Sequence, residues 1–436
     1  MILDFFLFLS SAYGVLFIMP RILVTNALPR WQWALTMLLT LSVGAGCDKV
    51  PKWDEVTGKS EPLASEPPAT EPTLPAPVSQ AMEPKPAPEP EAPKINSAEL
   101  IAAFKAIPPG GVSGTHITQV LQATEGLEQI TQILAAGNPG IDNNVLGFMT
   151  GFPALKVVDV SNTGVDDVGV AHLSKIPTLE SIILNTTNVG DTGIASLSSL
   201  PNLKLLHLSD CNRLRAAGIA AIGKMPVIEE VILNRVGAVN DQSLNLMCEA
   251  RTLRRLQMGY CSGLSDAAMY PLRNLDVLEE LIIAETSVTG EGLSFAAKGG
   301  LKNLKKLDMY QCPITLIGAK MINQCKSLEY LVLGNIGMDD KGLQILTKGM
   351  SNLRYLRIGA CKNVIGSGLT AIRGADDLEF LSLENCSIVD KAMPLLKGFK
   401  KLKTLDLQGT NVTAAAAQSL KKDLPDCEIR TSSGVL

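Results

Sequence analysis

The chain has 436 residues, 46% hydrophobic but only 4% aromatic, and a formal net charge of −4. That length admits two or three ordinary domains or one long array. No long basic run occurs, which weighs against nucleic acid or anionic lipid as the main partner, since both need clustered Lys and Arg.

Residues 1–46 are largely apolar. Arg30 precedes the run WQWALTMLLTLSVGAG (Trp31–Gly46), and Gly44, Ala45 and Gly46 lead directly into Cys47. A positive residue, a short apolar stretch and a small-residue exit make a secretory signal. The run is shorter than the about 20 residues that a membrane span needs. Its small residues before a cysteine resemble a bacterial lipobox, although that motif prefers Leu where this chain has Gly44. The resemblance implies that Cys47 is lipidated and becomes the first residue of the mature protein. The alternative is a soluble secreted protein cut at Ala45 or Gly46. Phe5–Met19 is a second apolar stretch, and Met19 opens MPRILVTNALPR, with Arg21 and Arg30 as a basic lead. Translation is therefore expected to begin at Met19. The other reading, a first membrane helix, is opposed by Asp4 and the short length.

Residues 47–95 form the next zone. Between 51 and 94 stand 12 prolines, spaced by Glu, Ala and Lys. Such a segment cannot bury a core and samples extended polyproline conformations. At roughly 3.1 Å per residue it reaches on the order of 100 Å. It is expected to hold the following domain away from a membrane.

Residues 96–129 are expected to form a helical cap. Asn96 or Ser97 starts the amphipathic SAELIAAFKAI, Pro108-Pro109-Gly110-Gly111 breaks it, and THITQVLQAT reads as a second helix.

The strongest signal begins at residue 130. The pattern L-x-x-L-x-L starts at Leu155, Leu179, Leu203, Ile228, Leu253, Leu278, Leu304, Leu328, Leu353, Leu378 and Leu402, with a degenerate copy near Ile130. The copies lie 24 to 26 residues apart. Such a period means one strand and one helix per coil, stacked into a solenoid. The first, fourth and sixth positions point inward. About five positions after the second core residue stands Thr or Cys: Thr163, Thr187, Cys211, Cys261, Thr286, Cys312, Cys361, Cys386 and Thr410. A small side chain there can tuck under the turn and bond backbone left free as the strand ends. Val236 and Ile336 fill that slot without a donor. Asp or Thr a few residues on, as in VDDVGV at 165 and MDDKGLQIL at 338, can cap a convex helix. Ala414 to Leu424 should be the last helix and LPDCEIRT a final short strand.

This Thr/Cys pattern resembles the cysteine-containing class of leucine-rich repeats over about residues 130–430. The class is best known from the substrate-binding half of F-box ubiquitin-ligase adaptors, and similar arrays occur in bacterial proteins, planctomycetes especially. The resemblance implies an α/β leucine-rich-repeat solenoid, a right-handed horseshoe with a parallel concave sheet and convex helices, that binds on its concave face. A signal segment and a proline linker stand where an F-box would be, so ubiquitin chemistry is not implied.

Apart from Cys47 there are eight cysteines, of which five fill the repeat slot; Cys248, Cys325 and Cys427 lie elsewhere. Even parity in an exported chain can mean disulfides. One buried slot per coil favours free thiols instead. No C-x-x-C and no close His/Cys cluster occurs, so no metal and no cofactor are expected.

The residue after each first core position alternates in sign: Lys156, Glu180, Lys204, Glu229, Arg254, Glu279, Lys305, Glu329, Arg354, Glu379 and Lys403. With strands about 4.8 Å apart, each charge has opposite neighbours. The ladder reads as structural, and opposes a one-coil slip. It also implies that a pair of repeats was the unit of duplication. At the strand centre Ile183, Ile232, Ile282 and Val332 alternate with Asp159, His207, Gln257, Asp308 and Arg357, followed by Ser382 and Asp406.

Strand alternation places Tyr330, Tyr355 and Phe380 on the concave surface of three successive coils, beside Arg357, Asp308 and Tyr310. Aromatics and arginine are the usual anchors of a protein interface. Tyr260, Arg235 and Arg255 make a weaker second cluster. His116, His172 and His207 are too dispersed for a triad or a zinc site, and no H-E-x-x-H, G-x-S-x-G or P-loop occurs. The sequence thus points to a monomeric, non-catalytic module that binds another protein from a lipid anchor on the periplasmic side of a bacterial envelope. A passive structural or adhesive element, a cell-wall polymer binder and a secreted form remain as alternatives.

Overall fold

The computed structural model describes residues 96–334 and 337–436. The signal segment, Cys47, the proline-rich spacer and Ile336 lie outside the described residues.

Fourteen strands form one sheet in strict chain order, from Gln132–Leu134 to Gly434–Val435. Every neighbouring pair is parallel except the last, where Gly434–Val435 folds back antiparallel on Glu428–Thr431. One coil advances the register by one repeat. Leu281 pairs beside Leu307 and Leu307 beside Leu331, all three without exposed surface. The first core residue of every repeat, Leu155 to Leu402, is likewise buried. The core is one continuous cluster from the cap (Ile101, Phe104) to the last parallel strand (Ile429). The degenerate first coil is real, since Ile133 is fully buried in the strand Gln132–Leu134.

The Thr/Cys slot divides its two residue types between two partners. Thr163, Thr187, Thr286 and Thr410 donate from Oγ1 to the carbonyl three residues back, at 2.6–2.8 Å. Cys211, Cys261, Cys312 and Cys386 donate from Sγ to a carbonyl of the preceding coil, at 3.1–3.3 Å. The longer C–S bond and larger sulfur reach across the rung where a threonine hydroxyl bends back. All eight cysteines among the described residues are buried, and none of them forms a disulfide there.

Just before the slot the backbone enters the left-handed region. Asn162, Thr186, Asp210, Arg235, Tyr260, Glu285, Gln311, Ala360 and Asn385 all have φ between 55° and 61°. Each donates its N–H to a carbonyl of the next coil, as Thr186 does to Ser209 at 2.8 Å. That bond holds a conformation that costs roughly 1–2 kcal/mol for a residue with a Cβ.

The convex segments are short. Seven-residue α-helices such as Asp167–Leu173 and Asp191–Leu197 alternate toward the C-terminus with 3-10 helices, Glu291–Lys298, Ser367–Gly374 and Asp390–Leu396. The expectation of one helix per coil holds with that tightening. Asp166, Asp339, Thr315 and Thr413 cap their own helices as expected. Gly190 and Arg215 stand at N-cap positions without a capping side chain. Their helices are completed from the coil before. Asp167 accepts the N–H of Gly190 at 2.5 Å, and Asp191 those of Arg215 and Gly218 at 2.8 and 2.9 Å. Asp241, Asp266, Asp340 and Asp390 reach forward in the same way.

At the N-terminal end Asn96 caps the helix Ser97–Lys105, accepting from the Glu99 N–H, and Phe104 packs on Phe152. Ser113 and His116 cap the helix Gly114–Val120 reciprocally. At the other end the helix Ala414–Asp423 and the strand Glu428–Thr431 are as expected, whereas the closing strand Gly434–Val435 was not foreseen. It covers an edge that would otherwise present unpaired backbone. Among the described residues no helix is long and apolar enough to cross a membrane.

Candidate functional site on the concave sheet

The charge ladder runs beside the sheet as anticipated. Ion pairs join Lys156–Glu180 (2.8 Å), Glu180–Lys204 (4.0 Å), Glu229–Arg254 (3.7 Å), Arg254–Glu279 (2.7 Å), Glu279–Lys305 (3.6 Å), Arg354–Glu379 (3.7 Å) and Glu379–Lys403. Glu329 has no ion pair among the described residues. These pairs are solvent-exposed and each contributes little.

Within the sheet, the register sets out three columns of outward side chains. The first carries Glu230, Arg255, Glu280, Lys306, Tyr330, Tyr355, Phe380, Thr404 and Glu428 on successive rungs. Tyr330, Tyr355 and Phe380 stack. The Tyr330 and Tyr355 ring centroids are 3.9 Å apart at 11°, and Tyr355 and Phe380 are 4.1 Å apart at 1°. This is closer than the strand spacing, so the rings lean together and each is half-buried. Burial, and then the hydrogen bond with the Tyr330 hydroxyl, push the Tyr355 phenol well above its ordinary value, which keeps it protonated. Lys306 covers the far face of Tyr330, its Nζ 5.2 Å from the ring centroid.

Arg357, Asp308 and Tyr310 do gather beside the stack, but they engage the protein itself. Arg357 binds Glu384 through Nε at 3.2 Å and through Nη2, and lies 5.1 Å from the Tyr310 ring centroid. Two glycines make room for this. A Cβ on Gly334 would come within 2.6 Å of Tyr310 Cε2, and one on Gly359 within 3.1 Å of Glu384 Oε1. Asp308 Oδ1 accepts the Tyr310 N–H at 3.0 Å, so that one of its oxygens holds the strand's exit. Burial raises the pKa of Asp308, against the Tyr310 bond and the charges of Lys306 and Arg357. Asp159 and Asp406 hold the N–H groups of Ser161 and Gln408 in the same way.

Further along the sheet stands His207, in the same column as Asp159. It lies two rungs away, and its Nε2 meets Glu230 Oε1 at 2.9 Å. Arg255 binds the other Glu230 oxygen at 2.5 Å. Burial opposes ionisation of Glu230, but the His207 and Arg255 bonds outweigh it and leave the pKa low. Gln257 and Lys306 similarly converge on Glu280, at 3.1 and 3.0 Å. Of the second predicted cluster, Arg235 and Tyr260 do meet, 5.6 Å from guanidinium to ring centroid, with Arg235 also bidentate to Asp210. Arg255 belongs to the Glu230 group instead. Glu230, Glu280 and Glu384 were missed in the sequence, although each sits one rung from a basic residue on the same face. No group of three metal-binding side chains occurs among the described residues.

The arrangement of one strand and one short helix per coil matches an internalin from Listeria monocytogenes, with a TM-score of 0.52 at 18% identity over 72% of this chain and 93% of that one. The chain is a leucine-rich-repeat solenoid. No protein-family model matches this solenoid. Part of it, 27% of the chain, is 33% identical to 18% of a Trypanosoma equiperdum protein provisionally described as an adenylate cyclase regulatory protein. Another match, 36% identical, joins 16% of the chain to 13% of the antagonist of mitotic exit network protein 1 of Saccharomyces cerevisiae. The solenoid thus spans under a fifth of the length of these relatives.

Proposed function

We propose that this solenoid is a non-catalytic protein-interaction module that binds a partner protein on its concave face. In this reading it is held at a bacterial cell envelope, on the periplasmic side, by a lipid on Cys47 and acts as a monomer. The observation that carries the binding site is the ordered stack of Tyr330, Tyr355 and Phe380 on the open face of the sheet. Rings already fixed by their neighbours lose little further freedom on binding. Tyrosine edges also offer hydroxyls to a partner backbone. Support for the envelope placement is the secretory pattern before Cys47.

Crosslinking in the native envelope of a strain carrying the full chain, followed by pull-down with wild type and Tyr355→Ala, tests the reading. A partner protein held by the wild type should be lost or weakened about 30-fold in the variant, since an anchor of this kind contributes about 2 kcal/mol. Equal capture by both proteins, with unchanged melting, would remove the aromatic stack from the site. Capture of wall polymer alone would replace the protein partner. Absence of any specific adduct would leave a passive structural element.

A further inference from the structure

The three concave columns carry a charge surplus. Their bases are Arg255, Lys306, Arg357 and Arg430, and each is committed to a carboxylate: Glu230, Glu280, Glu384 and Glu428 respectively. Three carboxylates remain, Asp159, Asp308 and Asp406, all in the centre column. Each uses one oxygen on the N–H two residues ahead, which does not neutralise it. The bases nearest to them, Lys306 and Arg357 beside Asp308 and Arg430 beside Asp406, are shared with those ion pairs, so acids still outnumber bases on this face among the described residues.

The aromatic stack is finished differently at its two ends. The Tyr330 end is closed by the Lys306 ammonium. The Phe380 end faces Thr404 on the next rung, whose short side chain cannot cover a ring. Asp406 is two residues beyond Thr404, diagonal to Phe380 at about 8 Å by strand spacing and rise; it keeps 7% of its surface exposed and has Arg430 on its other side. An aromatic face beside a carboxylate is a complementary setting for a cation. The molecule itself demonstrates half of that pairing at the other end of the stack.

We propose that the concave face receives a basic polypeptide segment, one of whose Arg or Lys side chains lies on the open face of Phe380 against Asp406. This rests on the concave-face reading above and adds the chemistry of the partner. A basic segment offsets the three surplus carboxylates, extends the stack Lys306–Tyr330–Tyr355–Phe380 by a second cationic cap, and needs no rearrangement of the existing ion pairs.

The test uses the full chain and three fluorescent peptides of equal length: Arg/Lys-rich, Asp/Glu-rich and Ser/Gly-rich. Anisotropy should show the basic peptide binding at least tenfold tighter than the neutral one, with affinity falling as salt rises. Three substitutions should each weaken it about fivefold or more with unchanged circular dichroism. Phe380→Leu removes the ring face, Asp406→Asn removes the charge but keeps the Gln408 contact, and Thr404→Phe leaves Phe380 in place and covers its face. Equal binding of the neutral or acidic peptide overturns the proposal. So does basic-peptide binding that none of the three substitutions changes, which would be ionic adhesion elsewhere. If the proposal fails in either way while Tyr355→Ala still releases the crosslinked partner, the concave site stands without a basic ligand. If both experiments fail, both readings fall.

Discussion

Single residues in this chain are governed more by backbone position than by side-chain type. The left-handed position before each Thr/Cys slot shows this. Its occupants include Asn, Asp, Arg, Tyr, Glu, Gln, Ala and Thr, of which only Asn and Asp visit that region readily. No residue preference could have revealed it in the sequence; the inter-coil hydrogen bond imposes it. Thr186 is the most costly case, being β-branched and solvent-exposed at φ 57°. Thr186→Gly should therefore stabilise the protein by about 0.5–1 kcal/mol, the relieved strain exceeding glycine's entropic penalty. Urea denaturation would measure it, and a loss of stability would show that the turn is unstrained. Among the site residues, the concave placement of Tyr330, Tyr355 and Phe380 was legible from strand alternation alone. The bond from one Asp308 oxygen to its own strand exit was not, because an aspartate that holds its strand end looks in sequence like one with both oxygens offered to a ligand.

Between elements, the informative contacts run from one coil to the next. The strands were legible because the apolar triplet repeats with a near-constant period. The helix starts were legible only where Asp or Thr caps its own coil. Asp340 shows the other arrangement. Its Oδ2 accepts the Ile365 N–H at 3.0 Å, and its Oδ1 those of Gly366 and Gly368 at 3.0 and 2.7 Å. The sequence places those partners 25 to 28 residues away, beyond any capping motif. Asp340→Ala should cost about 2 kcal/mol by leaving these donors unmet, with Asp340→Asn keeping much of the stability through Oδ1. Equal urea midpoints for all three proteins would refute the cross-coil cap. Close approach also fixes Gly318, where a Cβ would stand 2.0 Å from the Thr289 carbonyl oxygen. The change from α-helix to 3-10 helix in later coils was not legible beyond the prolines, Pro271 and Pro394, that lie in two such segments.

The described residues form a one-dimensional stack whose core is lined with thiols, and that gives it a characteristic response to pH. Burial raises Cys248 and Cys325 from an ordinary value of 9.0 to about 12, and Cys427 to about 11. Burial raises Cys211, Cys261 and Cys312 as well. Since the folded values lie above the unfolded one, the stabilisation is complete below pH 9.0 and is lost as pH rises toward about 12. Cys248 and Cys325 should each surrender about 1.4 kcal/mol per pH unit in that window. The urea midpoint should drop steeply between about pH 9 and 11 and less steeply in Cys248→Ala. A flat profile would mean that the thiols are accessible in the native state. Glu180, lowered by its bond to Lys156, and Asp210, lowered by Arg235, have the opposite sign: their contribution is present at neutral pH and fades as acid protonates them. Free thiols, ladder and solenoid were all readable from spacing at this scale. The pairing of bases with acids across the sheet was not, since it depends on side-chain reach between rungs.

Forward capping gives the array a direction. Each of Asp167, Asp191, Asp241, Asp266, Asp340 and Asp390 completes the helix start of the coil that follows it, and that coil is also the one translated later. In a chain that emerges N-terminus first, each new coil would find its acceptor already in place. Growth by synthesis and growth by folding therefore proceed the same way along the chain. Loss of coils from the C-terminal side leaves the surviving helix starts satisfied, whereas loss from the N-terminal side strips an acceptor from the first coil that remains.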